Sequence, residues 1–299
     1  MNRINSALLL VLLIQAFLVA VVYWPQRTAL ETNPAEPLLR VDQAAVGGIQ
    51  LADAQGNEAL LQRVDGHWQL PASQDLPADS ALVERLLRVL TVAEHGYPVA
   101  TSVAARQRFE VASYRFQRSV TLLAHDGARL GTVFFGTAPA FRRVHARSDA
   151  DEAIYSIPFN SFDPPAHDTG WMDRRLLQVS LPLGIQGPGF ALTRLDSGTW
   201  QSADGAAPEP RELEALLGSL ANLQADGIAG ADQQRSLAEM APALSISATT
   251  ASGERKLAFY LLEDEHFVHD PRHDLFFTIS AYDFDRLNTL DSARLNGGP

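Results

Sequence analysis

The chain has 299 residues, 46% of them apolar, and carries 35 acidic against 24 basic side chains for a net charge of −11. That length and apolar content can fill two sizeable cores, while the acidic balance argues against nucleic acid and anionic lipid head groups as partners. The absence of cysteine excludes a disulfide scaffold and a thiol nucleophile.

Ser6–Trp24 holds no Asp, Glu, Lys or Arg, and it is close to the roughly 20 apolar residues that span a bilayer as a helix. Arg3 and the terminal amine precede it, and every acidic residue follows Arg27. This asymmetry predicts a single-pass anchor over residues 1–27 in the inner (cytoplasmic) membrane, with the N-terminus in the cytoplasm and the remainder in the periplasm. Tyr23-Trp24-Pro25 offers no small-x-small cleavage site, so the segment reads as an anchor that is kept. Residues 28–37, polar and with Pro34 and Pro37, read as a short tether.

From Leu38 onward one pattern occurs twice. Leu60–Leu70 alternates through an Asp65-Gly66 turn to Trp68, and Phe190–Gln201 alternates through Ser197-Gly198 to Trp200. Both read as β-hairpins, with Gly66 and Gly198 in the turns and Trp68 and Trp200 as large packing groups. A Pro-containing loop follows each hairpin, and then a helix. Leu82, Leu86, Val89, Leu90 and Ala93 make the apolar stripe of the first helix. Leu213, Leu216, Leu217, Leu220 and Leu223 make that of the second. After an irregular segment each copy continues with a strand–turn–strand, Val120–Phe135 or Leu244–Tyr260. A second strand pair follows, Phe141–Arg147 with Ala153–Ile157, or His266–Asp270 with Leu275–Ile279. The expected fold is α+β: a transmembrane helix, then two tandem repeats of antiparallel sheet with one main helix each. The repeats fall at 38–163 and 176–291, separated by a Pro-Pro-containing junction at 164–175, and 292–299 reads as a flexible tail.

Chemistry is sparse. His266, His269 and His273 are the weak candidates for a metal site, since imidazoles and nearby carboxylates are suitable ligand types. On a strand, however, His266 and His269 have opposite parity, and a solvated hairpin is the plainer reading. In the first copy, His145 stands where His269 stands in the second. No Gly-x-Ser-x-Gly elbow occurs. Gly184–Gly189 precedes a strand and contains Pro188, so it reads as a turn and not a phosphate cradle. Asp163 with Asp168, and Glu263 to Glu265, read as solvated acids. Arg142-Arg143 and Arg174-Arg175 read as surface charge or interdomain pairs. No catalytic residue and no cofactor is assigned.

The N-terminal anchor, the hairpin Arg63-Val64-Asp65-Gly66-His67-Trp68-Gln69-Leu70, the helix Ala81–Leu90 and the junction Trp171-Met172-Asp173-Arg174-Arg175-Leu176-Leu177 together resemble the bacterial domain-of-unknown-function 4340 family over roughly residues 38–290. The chain departs from the commoner pattern after Arg106, where Phe109-Glu110-Val111 stands in place of a Tyr-Gly-Leu-like segment. The resemblance implies a membrane-anchored envelope protein without an established activity, accessory to an ABC-type transporter. Three functional readings stay open. The first is non-catalytic protein–protein interaction with an envelope or inner-membrane partner such as ABC transporter subunits. The second is a periplasmic module binding a lipid, glycan or peptide. The third is a metal-assisted hydrolase built on the three histidines.

Overall fold

A computed structural model describes residues 12–18, 36–160 and 163–298. Most of the expected anchor lies outside the described residues. Its part at 12–18 is helical (α1), with Leu12, Leu13, Ile14, Phe17 and Leu18 all exposed. Among the described residues no helix is long and apolar enough to cross a membrane.

The folded part is α+β, with antiparallel strand pairs throughout, and divides into two compact units. The first comprises the residues up to Gly66 together with Ala81–His167, and the second comprises His67–Ser80 together with Asp168 onward. The His67–Ser80 hairpin groups with the second unit. Its strands β3 (His67–Leu70) and β4 (Leu76–Pro77) pair with each other. Ala78 bridges Met172, the Asp79 amide donates to the Trp171 carbonyl at 2.7 Å, and the Asp173 amide donates to that of Pro77 at 2.9 Å. Trp171 is fully buried there.

In the first unit, β1 (Val46–Asp53) lies between β2 (Glu58–Val64) and β7 (Arg118–Ala124). The meander continues through β8 (Arg129–Phe135), β9 (Val144–Ser148) and β10 (Tyr155–Ile157). β2 buries Ala59 and Leu61 and exposes Glu58, Leu60 and Gln62, the period-two pattern of a strand covered on one face. Central β1 is buried at Val46, Ile49 and Leu51. Asp65 and Gly66, both left-handed, form the two-residue turn that ends β2.

Helix α2 (Ser80–Thr91) buries Val83, Leu86, Leu87, Leu90 and Thr91, so the buried stripe shares Leu86 and Leu90 with the expected one but takes Val83 and Leu87 in place of Leu82 and Val89. The segment expected to be irregular instead forms α3 (Val103–Arg108), capped by the Ser102 side chain, and a small hairpin of β5 (Val111–Ala112) and β6 (Arg115–Phe116). Ala105, Val111, Phe134 and Ile154 make a core cluster beneath them.

In the second unit the sheet order is β13-β12-β11-β15-β16-β17-β18-β14. The ranges are β11 Gly184–Gly187, β12 Phe190–Arg194, β13 Trp200–Ser202, β14 Gly227–Ile228, β15 Leu244–Thr250, β16 Gly253–Leu262, β17 Glu265–Asp270 and β18 Leu275–Ile279. Helix α4 (Pro210–Asn222) has Pro210 in its first turn and Glu209 as N-cap, and buries Leu216, Ser219 and Leu220. α5 (Ala231–Ala238) sits on a cluster of Leu237, Tyr260, Phe267 and Phe276. Tyr282–Asp285 lies within helix α6 (Ala281–Asn288), capped by Ser280. The expected tail contains α7 (Ser292–Leu295), whose Leu295 is fully buried, so this segment packs and is not frayed.

Candidate functional site

The first unit carries an open cleft of about 690 Å³. Helix α2 contributes Arg85 and Val89, one turn apart on the same face. The connection from β8 to β9 contributes Phe141 and Arg142, and the segment after β10 contributes Phe159 and Asp163. Phe159 stacks on the buried ring of Phe135 with centroids 5.3 Å apart, which fixes one apolar wall.

The β8–β9 connection is held from below. The Arg143 amide donates to the Ala140 carbonyl at 3.1 Å, closing a turn, and Arg143 Nε donates to Ser156 Oγ on β10 at 2.9 Å. Arg143 Nη2 also donates to the Ser156 carbonyl. The tip is thereby presented outward: Phe141 is 87% exposed, Arg142 takes a left-handed backbone with φ 54°, and its guanidinium lies 5.2 Å from the Phe141 ring centre. Thus Arg143 is tied to the sheet while Arg142 stands at the cleft.

Deeper in this unit, the His145 ring stacks on Phe109 at 4.1 Å, and Nδ1 pairs with Thr137 Oγ1 at 2.9 Å. Burial pushes its pKa down. Arg147 is buried and among the described residues has no carboxylate partner; Nε donates to the Val111 carbonyl at 2.8 Å and Nη1 to those of Ser148 and Asp151. These groups brace the small hairpin against β9 and are not placed at the cleft lining.

The second unit has a different polar centre. Asp270 is fully buried and accepts from Arg272 Nη2 at 2.8 Å and Arg255 Nη2 at 3.3 Å. Arg255 also donates to the carbonyls of Gln178 and Leu176, and Arg272 to that of Leu176. Burial alone would raise the Asp270 pKa, but hydrogen bonds from Arg272 and the charges of both arginines hold it below the ordinary carboxylate value. All three side chains are occupied in fastening the segment that leads into β11.

The three candidate metal ligands do not converge. His266 packs against Phe284, His269 against Phe276, and His273 edge-on to Phe277. His269 Nε2 reaches Asp274 Oδ1 at 3.4 Å. Among the described residues no group of three or more His, Cys, Asp or Glu side chains could hold a metal ion.

Trp68 is buried at 5% exposure, whereas Trp200 on β13 is only half-buried. Gly66 and Gly198 both have φ 85°, the backbone of their turns. Gly184–Gly187 is strand β11, and Pro188-Gly189, with φ 77° at Gly189, turns it into β12. Arg174 donates to the Ala225 carbonyl and pairs with Asp226, while Arg175 pairs with Asp173. Asp168 accepts from Ser73 Oγ at 3.1 Å. Glu263 and Asp264 are the two left-handed residues between β16 and β17.

Sequence reading placed Phe141 and Arg142 on a strand and treated the arginine pair as one surface feature. Ala138-Pro139-Ala140 was the available signal: proline interrupts a central strand, so the pairing had to begin after it. Arg85 lies off the expected apolar stripe of its helix.

These observations define a two-unit α+β protein of antiparallel sheets with an arginine-rimmed cleft in its first unit. No curated protein and no solved structure matches the chain. The family model described as domain of unknown function (DUF4340) matches residues 68–242, and the chain belongs to that family.

Proposed function

We propose that this protein is a non-catalytic, single-pass membrane protein whose extracytoplasmic part binds another protein through the Gly136–Arg143 loop of its first unit. The observation that carries this reading is Phe141, an aromatic ring 87% exposed on a turn that Arg143 fastens to β10. Aromatic and arginine side chains are the groups that dominate protein interfaces. A ring held in water by a fastened backbone needs little further ordering when a partner covers it. The uncharged Ser6–Trp24 run supports the anchor. The family resemblance suggests an ABC-type transporter subunit as the partner. A second reading, a periplasmic module for a small ligand, draws on the cleft volume, which lies in the range of ligand sites.

We also infer that the two units descend from one duplicated module. In each, the first strand of a hairpin pairs on its other side with a meander: β2-β1-β7-β8-β9-β10 in one, β12-β11-β15-β16-β17-β18 in the other. A backbone bond of the same kind recurs, Leu39 amide to Leu90 carbonyl and Val179 amide to Leu220 carbonyl, each 2.9 Å. On this reading, with Ile49 matched to Ile185, Phe134 corresponds to Ala258, and their partners Arg147 and His269 correspond in place of His145 and His269.

The test is photo-crosslinking in native membranes from position 141 of the full-length chain, with position 282 in the second unit as control. One defined envelope protein captured at 141 and absent at 282 is the expected result. Capture of lipid or glycan alone would move the assignment to the ligand-binding reading.

A further inference from the structure

We propose that the cleft beside the Gly136–Arg143 loop recognises an acidic–apolar peptide segment, with Arg85 and Arg142 receiving an Asp or Glu carboxylate and Val89 and Phe159 seating an adjacent apolar side chain. This rests on the protein-docking reading above and specifies what is docked.

Charge bookkeeping in the first unit together with position at the cleft singles out these two cations. Arg40, Arg106, Arg115, Arg118 and Arg129 each pair with a carboxylate, and Arg143 and Arg147 donate to oxygens within the fold. Among the described residues of this unit the side chains of Arg63, Arg85, Arg88, Arg108 and Arg142 have no hydrogen bond or ion pair, and of these five Arg85 and Arg142 line the cleft. Asp163 is the one acid among the described lining residues, which therefore carry an excess of positive charge on a chain of net −11. A local cationic site on an acidic body selects an anionic group and opposes wrong orientations of a partner.

The geometry favours a carboxylate on a peptide over other anions. Guanidinium groups accept a planar carboxylate through paired N–H donors. Val89 is half-buried on α2 and Phe159 is held by Phe135, so the apolar wall exists before binding. The cleft is open to solvent, as the docking of a polypeptide segment requires. The overall negative charge disfavours approach to an anionic bilayer. The second unit lacks the counterpart, because Glu263-Asp264 makes a tight acidic turn where the first unit has its long loop.

The experiment is selection of a random displayed-peptide library on the full chain in nanodiscs of neutral phosphatidylcholine. Recovered peptides are then measured against Arg85→Gln, Arg142→Gln and, as a control outside the cleft, Arg88→Gln. The expected result is enrichment of Asp or Glu next to a large apolar residue. Arg85→Gln and Arg142→Gln should each weaken binding by about tenfold, a loss of about 1.4 kcal/mol, and Arg88→Gln should not. Affinity should fall as salt is raised. All three side chains are exposed, and unchanged melting temperatures check the fold. Enrichment of neutral or basic peptides, or binding indifferent to both arginines, overturns this inference but leaves the docking reading in place. No enrichment, together with arginine-dependent binding to phosphatidylglycerol vesicles, overturns it in favour of a lipid head group. Failure of position 141 to crosslink any protein counts against the docking reading itself.

Discussion

Replacing Asp270 by Asn should be among the most damaging single polar changes in the second unit, and the structure ranks it against its neighbours. The carboxylate is fully buried, and the arginines it serves are not equally placed. The Arg272 side chain is 45% exposed and can turn to water; that of Arg255 is 11% exposed and cannot. Removing the negative charge leaves Arg255 with only the Leu176 and Gln178 carbonyls. Stranding a buried charge in this way costs about 3–5 kcal/mol. Backbone acceptors already serve Arg255, which places Asp270→Asn near the lower end, about 3 kcal/mol. Arg272→Gln removes a solvated partner and should cost about 1 kcal/mol. Arg255→Gln leaves Asp270 with Arg272 and should fall between. In a double-mutant cycle Asp270→Asn with Arg255→Gln should be less damaging than the two losses added, by at least about 1 kcal/mol. Hydrogen exchange of β16 and β17 amides is the suitable assay, since two units need not unfold in one step. An Asp270→Asn loss under about 0.5 kcal/mol, or Arg272→Gln as costly as Asp270→Asn, would falsify the ranking. The pH sense follows from the depressed folded pKa. The carboxylate's contribution is fully present above the unfolded value of 3.8 and is lost as pH falls through the lower folded value.

Three histidines give a milder acid effect. Burial lowers the folded pKa of His95, His145 and His273 from 6.5, so the unfolded chain binds more protons just below that pH. Stability should be full above pH 6.5 and decline as pH falls from there through the folded values; urea midpoints that are flat from pH 7.5 to 5.5 would contradict this. Gly136→Ala should destabilise the first unit by several kcal/mol: a Cβ there would stand 1.9 Å from the Phe109 carbonyl oxygen and 2.5 Å from that of Glu110, both backbone atoms. Thermal melting read from the first unit checks it. Trp68→Ala should cost about 3–5 kcal/mol and the half-buried Trp200→Ala about half as much, measured by denaturant titration; equal losses would contradict the burial difference. Glu110, left-handed at φ 57°, accepts from Arg115 and Gln117. Glu110→Ala should therefore lose about 1–2 kcal/mol, and Glu110→Gly less, because glycine removes the strain as the bonds are lost.

The Glu110 backbone explains the departure noted in the sequence. A glycine-like conformation persists where the commoner pattern has a Tyr-Gly-Leu-like segment, and side-chain bonds offset its strain. Strands with strict alternation, such as β2 and β15, were readable because one face of each is covered. The phase of α2 was not, since Leu82, Val83, Leu86, Leu87, Val89 and Leu90 contain two overlapping stripes and only packing chooses between them. α3, α5 and α6 were missed because helices this short carry little periodic signal. Their caps were the usable clue: Ser280 accepts from the Asp283 amide and Ser102 from that of Ala105, the spacing of a helix start. The cleft was less legible still. Arg85, Phe141 and Phe159 are far apart in sequence, and no local pattern announces that α2, the β8–β9 connection and the segment after β10 share a wall.

If the units arose by duplication, their difference at one connection is the strongest pointer to division of labour. β16 turns into β17 through Glu263-Asp264, the shortest hairpin connection and one that costs little chain entropy. The first unit spends Gly136–Arg143 on the same connection. It must fit glycine against the Phe109 carbonyl, hold Arg142 left-handed and leave Phe141 in water. None of these stabilises a monomer. A stability-driven repair would shorten the loop to the two-residue turn found in the other unit. On the docking reading the loop's unfavourable features are offset when a partner covers the ring. Grafting Glu-Asp in place of Pro139–Arg143, which keeps the Gly136 and Thr137 bonds to His145 and the Phe135–Ala146 register, should therefore raise thermal stability while abolishing capture at the cleft, and a graft that still captures the same partner would put the binding surface elsewhere.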